Sequence, residues 1–423
     1  MVVKHVLDNG VTVLIDEMHD VRSFALGFFV RAGSGDEPAA RQGLSHFLEH
    51  VLFKRTLRRS NAQIARAIDR LGGDVDAFTT REYTGFYVHT LDTRFDEALD
   101  LLGDIVLSPA FEAADVENER GVILEEIGEA NDNPDDLAHE TFVRSFWKSH
   151  PLGAPILGTA DTVRAIGRDD LYRYYRSRYA PASLIVAVAG RVTSADVLAA
   201  LSRLFRRRPG RMPAPPETAR RPRSHQHLEL KTRRGLAQVH VCLGVEGPSQ
   251  GSSRRFAAAL LDVVLGGGMS SRLFQEVREK RGLVYSIGSS WNAYRLGGYE
   301  TISAACAPRN LPRVLEVTLR ELKKLKRGGV RPAELAWAKE NLKGNLVLAL
   351  ESTVSRMSLA ARQEFYFGRI VTPEEWIARL EDVRAEEVGE EAERLFDGRV
   401  LSLSVVGNVG KLPVSAPDLA AAL

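Results

Sequence analysis

A chain of 423 residues exceeds what a single hydrophobic core usually serves, so two or more domains are expected. With 44% hydrophobic and 26% charged residues, neither a disordered nor a fibrous chain fits. The 57 Lys+Arg against 55 Asp+Glu leave a net charge of +2, which gives no electrostatic reason to expect a nucleic-acid partner.

The only cysteines, Cys242 and Cys306, form no CxxC pair, which argues against a disulfide framework and against a thiolate zinc site. The N-terminal stretch has no cationic segment leading into an apolar one, and no run reaches about 18 apolar residues, so a cytoplasmic chain with no membrane partner is expected.

In chain order, VLDNGVTVLID places Asn9-Gly10 at the turn of a strand pair, where positive φ is needed. SFALGFFVRAGS reads as a strand and GLSHFLEHVLFK as a helix. LGGDVDAFTTREYTGFYVHTL gives two strands, DEALDLLGDIVLS a long helix, and residues 114–130 a charged helix. DLYRYYRSRY and SLIVAVAG close the first half as helix and strand.

Residues 206–224 are rich in proline and arginine and lack apolar periodicity, so they read as a linker between residues 1–210 and 225–423. Beyond it the same order returns: QVHVCLGVEG as strand, RRFAAALLDVVLG as helix, then Gly266-Gly267-Gly268 and SSRLFQEVREK. GLVYSIGSSWNAY and GGYETISAACA read as strands, two long helices follow, and RVLSLSVVGNV closes the chain as SLIVAVAG closes the first half. The expected fold class is α+β, with two homologous lobes, each a largely antiparallel sheet flanked by helices.

In GLSHFLEHVLFK, His46, Glu49 and His50 stand at i, i+3 and i+4, which share one face of a helix. Two imidazoles there can meet one metal ion, and Glu49 beside them can take a proton from a water that the ion has made acidic. A hydrolytic zinc site takes a third protein donor. The helix NERGVILEEIGEA supplies candidates: Glu119 and Glu126 lie two turns apart on one face, while Glu125 points about a third of a turn away.

His46-x-x-Glu49-His50 followed by Glu126 in VILEE resembles the inverted zinc-peptidase signature of the insulinase and pitrilysin family, and the chain length resembles its mitochondrial-processing-peptidase-like bacterial subfamily. The likeness extends through GGDVDAFTTREYT, HPLGAPILGT, LGGGMSSRLFQEVREKRGLVYSI, the ESTVSRM helix and VVGNVG. It implies a zinc-dependent metalloendopeptidase with one Zn2+ per chain on His46, His50 and Glu126, Glu49 as general base, and Glu119 supporting the site. It also implies that Arg278 and Tyr285 in the second lobe face the substrate: Tyr285 donates to the developing oxyanion, and Arg278 holds a backbone carbonyl. Asp76, Ala77 and Phe78 would bind the peptide by strand addition.

Two positions depart from the family pattern. Asp76 stands where asparagine is frequent, adding a charge that would favour basic or neutral peptides, and Arg55 stands where glycine is common. The second half lacks HxxEH and has GGGMSSRLFQEV at the comparable place, so only the first lobe is expected to carry metal. The resemblance further implies short or unfolded peptides as substrates, enclosed in a chamber between lobes, and a homodimer. The alternative is an inactive or partner-dependent subunit of a hetero-oligomeric processing peptidase, or a heterodimer with a paralogue.

Overall fold

The computed structural model describes residues 2–206, 208–210, 220–397 and 399–423, so most of the expected 206–224 linker lies outside the described residues. The chain divides into two units. One comprises Met1–Gly128, Ala154–Ala219 and Val347–Thr372; the other comprises Glu129–Gly153, Arg220–Leu346 and Pro373–Leu423.

In the first unit, β1 (Val3–Val6) and β2 (Thr12–Glu17) form the hairpin expected at Asn9-Gly10, with Gly10 at φ 89°. β3 (Ser23–Val30), α1 (Leu44–Leu52), α2 (Asn61–Leu71), β4 (Asp74–Thr79) and β5 (Thr84–Leu91) follow. α3 (Phe95–Leu107), α4 (Ala113–Asp132), whose last turn passes the unit boundary, and β6 (Leu184–Gly190) complete the frame. The sheet runs β1-β2-β6-β3-β5-β4, and only β2 and β6 are parallel.

β3 is apolar at consecutive positions because both of its faces are covered. Phe24, Leu26, Phe28 and Val30 pack in the core that α1 and α3 help to build, while Ala25 and Phe29 meet Met357, Ala360 and Ala361 of the helix Thr353–Phe367. Gly27 lets that helix close on the sheet, since a Cβ there would lie 2.9 Å from Met357 Sδ.

The second unit holds α5 (Pro134–Phe146) and the strands β7 (Leu228–Thr232), β8 (Val239–Gly247), β9 (Val284–Ala293), β10 (Gly298–Cys306) and β11 (Ser402–Gly407). Their order is β7-β11-β8-β10-β9, with only β7 and β11 parallel, which repeats β2-β6-β3-β5-β4 strand for strand. The covering helix is repeated as well. α5 lays Leu137, Phe142, Val143 and Phe146 against Cys242, Tyr299 and Val406, and a Cβ on Gly244 would lie 2.6 Å from the Phe142 ring.

Gly244 pairs with Thr301 four residues into β8–β10, as Gly27 pairs with Tyr87 four residues into β3–β5, so the two glycines hold the same place in the repeat. Residues 129–153 and 347–372 are therefore exchanged relative to a cut at the linker: each covers the sheet built by the other half of the chain. The helix α5, which the periodicity did not reveal, belongs to this exchange.

The repeat also relocates one sequence comparison. The helix that follows β8, as α1 follows β3, is Arg255–Leu265, an apolar element buried along most of its length, so FAAALLDVVL rather than GGGMSSRLFQEV stands opposite HxxEH. Gly266 and Gly267 approach neighbouring backbone closely: a Cβ on Gly266 would lie 2.2 Å from Ser289 N, and one on Gly267 2.7 Å from Val263 Cα. Among the described residues no helix is long and apolar enough to cross a membrane.

The exchanged helix Thr353–Phe367 is tied to its sheet by a bidentate ion pair: Arg356 donates to both oxygens of Asp16, at 2.6 and 3.0 Å, and Asp16 is only 3% exposed. Arg356→Met is expected to destabilise the protein by about 3 kcal/mol, because it strips the guanidinium from a buried carboxylate. Arg22→Met, at an exposed pair with Asp92, should cost less than about 1 kcal/mol. Denaturant midpoints of the two variants check this, and equal losses would contradict it.

Candidate metal centre

α1 begins at Gly43, whose φ of 95° turns the chain into the helix, and it buries Leu44, Phe47, Leu48, Val51 and Leu52. His46, Glu49 and His50 fall on its other face and are only partly buried. α4 buries Val116, Glu119, Ile123 and Ile127. The two helices are joined where the Arg120 guanidinium of α4 lies 5.4 Å above the Phe47 ring. Glu126 is thereby brought to the imidazoles, while Glu125 is exposed, as the helical offset predicted.

His46 Nε2 and His50 Nε2 lie 3.6 and 3.5 Å from the same Glu126 oxygen. These separations are too long for good hydrogen bonds. They match the spacing of donors at the corners of a tetrahedron with metal–ligand distances of about 2.1 Å, which is about 3.4 Å. Among the described residues, His46, His50 and Glu126 are the one group of three such side chains with donor atoms mutually within 4.8 Å. Two neutral nitrogens and one carboxylate oxygen are a donor set suited to zinc, so the residues fit the ion.

Burial and the neighbouring His50 push His46 down to about 4, so its imidazole is neutral and able to ligate across the physiological range. His50 Nδ1 lies 3.1 Å from Glu119 Oε2. An ionised carboxylate only accepts, so Nδ1 carries the proton and Nε2 presents its lone pair toward Glu126. Glu119 is 4% exposed, and its other oxygen pairs with Lys54 Nζ at 2.9 Å.

Glu49 accepts a short hydrogen bond from the Thr79 hydroxyl at the end of β4. Burial nevertheless pushes its carboxyl up to about 6; the Thr79 bond and His50 oppose the shift, and Asp76 and Glu126 add to it. Asp76, Ala77 and Phe78 lie on β4, the terminal strand of its sheet, which among the described residues pairs with β5 alone. The Asp76 carboxylate covers the Ala77 N–H at 2.8 Å. Arg55, the other departure from the family pattern, pairs with Asp115 of α4 at 2.9 Å.

Arg278 and Tyr285 belong to the second unit, where the Arg278 guanidinium lies 5.5 Å from the Tyr285 ring and 4.6 Å from that of Phe274. Arg278 sits in a π-helical turn, Phe274–Glu279, and Tyr285 is 78% exposed at the start of β9.

Sequence reasoning did not single out Lys54 or Thr79. Lys54 lies in the turn just past the end of α1, and its place beside Glu119 comes from the packing of that turn against α4. The role of Thr79 likewise arises from the packing of β4 beside α1.

Residues 12–160 match the insulinase family, peptidase family M16, and residues 165–342 match the peptidase M16 inactive domain. An uncharacterized zinc protease of Mycobacterium tuberculosis is 40% identical over 399 residues, covering 93% of this chain and 90% of its own. The uncharacterized zinc protease YmxG of Bacillus subtilis is 36% identical over 414 residues, covering 98% and 100%. Among solved structures, a protease from Helicobacter pylori superposes with a TM-score of 0.91 at 22% identity, over 96% of this chain and 99% of that one. A peptidase M16 inactive domain from Pseudomonas fluorescens gives 0.90 at 21% identity, over 98% and 100%. With whole-length relatives at this identity, and with the duplicated α+β frame around the HxxEH helix, the chain belongs to the insulinase family of peptidases, peptidase family M16.

Proposed function

We propose that this chain is a zinc-dependent endopeptidase acting on short or unfolded peptides, with one Zn2+ held by His46, His50 and Glu126. The observation that carries this reading is the convergence of both Nε2 atoms on one oxygen of Glu126, with Glu49 on the same helical face. The names of the zinc-protease relatives support it. Zinc at these residues would supply a Lewis acid that polarises a carbonyl and acidifies water.

The rest is done by the chain's own groups. Glu49, oriented by Thr79, accepts the proton of the attacking water and passes it to the leaving amine, so no covalent intermediate is needed. Glu119, braced by Lys54, holds the His50 ring in the ligating tautomer. The edge strand β4 receives an extended peptide along Asp76, Ala77 and Phe78, which requires the Asp76 carboxylate to release the Ala77 N–H. The exposed Tyr285 hydroxyl donates to the carbonyl oxygen as charge develops, and Arg278 binds a neighbouring carbonyl. Both sets of groups occur in one sequence, which supports a homodimer that needs no different partner chain.

Glu49→Gln is expected to lower turnover of a fluorogenic peptide by at least about 100-fold, because it removes the proton acceptor while leaving the three donors in place. Wild-type activity no higher than that of Glu49→Gln would contradict the assignment.

The pH profile supplies a second check. Only the ionised Glu49 accepts a proton, and burial raises its carboxyl to about 6. A nearby cation lowers a carboxyl, so kcat/KM should fall on an acid limb at or below about pH 6. A rate that instead increases on acidification from pH 7 to 5 would contradict Glu49 as base.

A further inference from the structure

α1 is short, and His46 is its third residue, so the position of the first ligand is set by where the helix begins. The leading N–H groups of a helix have no partners within it. Gly43 at the N-cap has no side chain to supply one, and a Cβ there would lie 2.7 Å from the Leu157 carbonyl oxygen. The acceptor comes instead from Glu37, upstream in the chain. Its Oε2 accepts from Gly43 N–H and its Oε1 from Ser45 N–H, both at 2.6 Å.

Glu37 is 2% exposed, and these short contacts are to backbone groups rather than to a basic side chain. Burying a carboxylate in this way is costly unless its oxygens are satisfied. Burial pushes the acid up to about 8 even though the hydrogen bonds from Ser45, Gly43 and Leu44 pull the other way. Because both oxygens accept at charge-assisted distances, the geometry favours the ionised form. Ser45 is held on its other side, with its hydroxyl 2.8 Å from the Tyr174 hydroxyl.

We propose that Glu37 is a positioning residue of the metal centre: its two-oxygen grip on Gly43 and Ser45 fixes the start of α1 so that His46 and His50 reach one ion together. This rests on the metal reading above, and it assigns Glu37 no contact with substrate or ion. Glu37→Gln keeps the size but turns one acceptor into an NH2 facing an N–H. Glu37→Asp keeps the charge but is too short to reach both groups.

The test measures zinc affinity of the full-length chain by competition with a chromophoric chelator, beside melting temperature. Glu37→Gln is expected to weaken zinc binding by about 10- to 100-fold, the range for groups that hold ligands in place, with Glu37→Asp also weakened. Hydrogen exchange of the metal-free wild type reads the grip without any substitution: amides 43–45 should exchange slowly. Unchanged zinc affinity in Glu37→Gln would overturn this proposal while leaving the metal reading intact, and wild type that binds no zinc would overturn both. If neither variant folds, exchange decides: rapid exchange at 43–45 overturns the grip, and slow exchange upholds it.

Discussion

The site depends on one constraint: two imidazoles a single helical turn apart must share a direction with a carboxylate from another helix. Neither helix can meet it alone. α1 supplies nitrogens on its partly buried face only because its opposite face is fixed in the core by Leu44, Phe47, Leu48 and Val51. α4 supplies Glu126 only because Val116, Ile123 and Ile127 are anchored in the same core. The three donor groups are thus placed by apolar burial on the far sides of both helices, and the polar contacts of Glu119 with His50 and Lys54 set tautomer and orientation within that frame.

The two repeats share this frame but differ in the side chains placed on it. The strand orders are the same, and the parallel pair and the glycine beneath the covering helix recur. Opposite the HxxEH helix stands the apolar Arg255–Leu265, which buries Leu260, Leu261, Val263 and Val264 and offers no imidazole. The second unit is distinguished instead by the strand start where Arg278 and Tyr285 lie together. The exchange of residues 129–153 and 347–372 ties each unit to both halves of the chain, so neither half of the sequence accounts for a whole unit.

Much of this was legible in the residues. The helical offsets of His46, Glu49 and His50, and the two-turn spacing of Glu119 and Glu126, are local properties of a regular helix, and they hold wherever such a helix forms. The fully apolar strands are legible for the same reason, although the short strand β7, LELKT, is not among the elements the sequence reading assigns. Other features depend on the fold rather than on local pattern. α5 is mixed in sequence, and the residues it buries, among them Leu137, Phe142, Val143 and Phe146, face a sheet encoded only after residue 227. Glu37 and Thr79 lie in loop and strand stretches with no periodicity to point at α1, and only packing brings them to it.

Two Nε2 atoms and one carboxylate oxygen closing on one ion would give that ion a distinctive shell. X-ray absorption at the zinc edge, on metal-free protein reloaded with one equivalent of zinc, tests it most directly. One ion per chain is expected, with two imidazole scatterers, light oxygen donors and no sulfur, and Glu126→Gln should perturb that shell. A shell with a single imidazole, a sulfur donor, or no change on substituting Glu126 would contradict it.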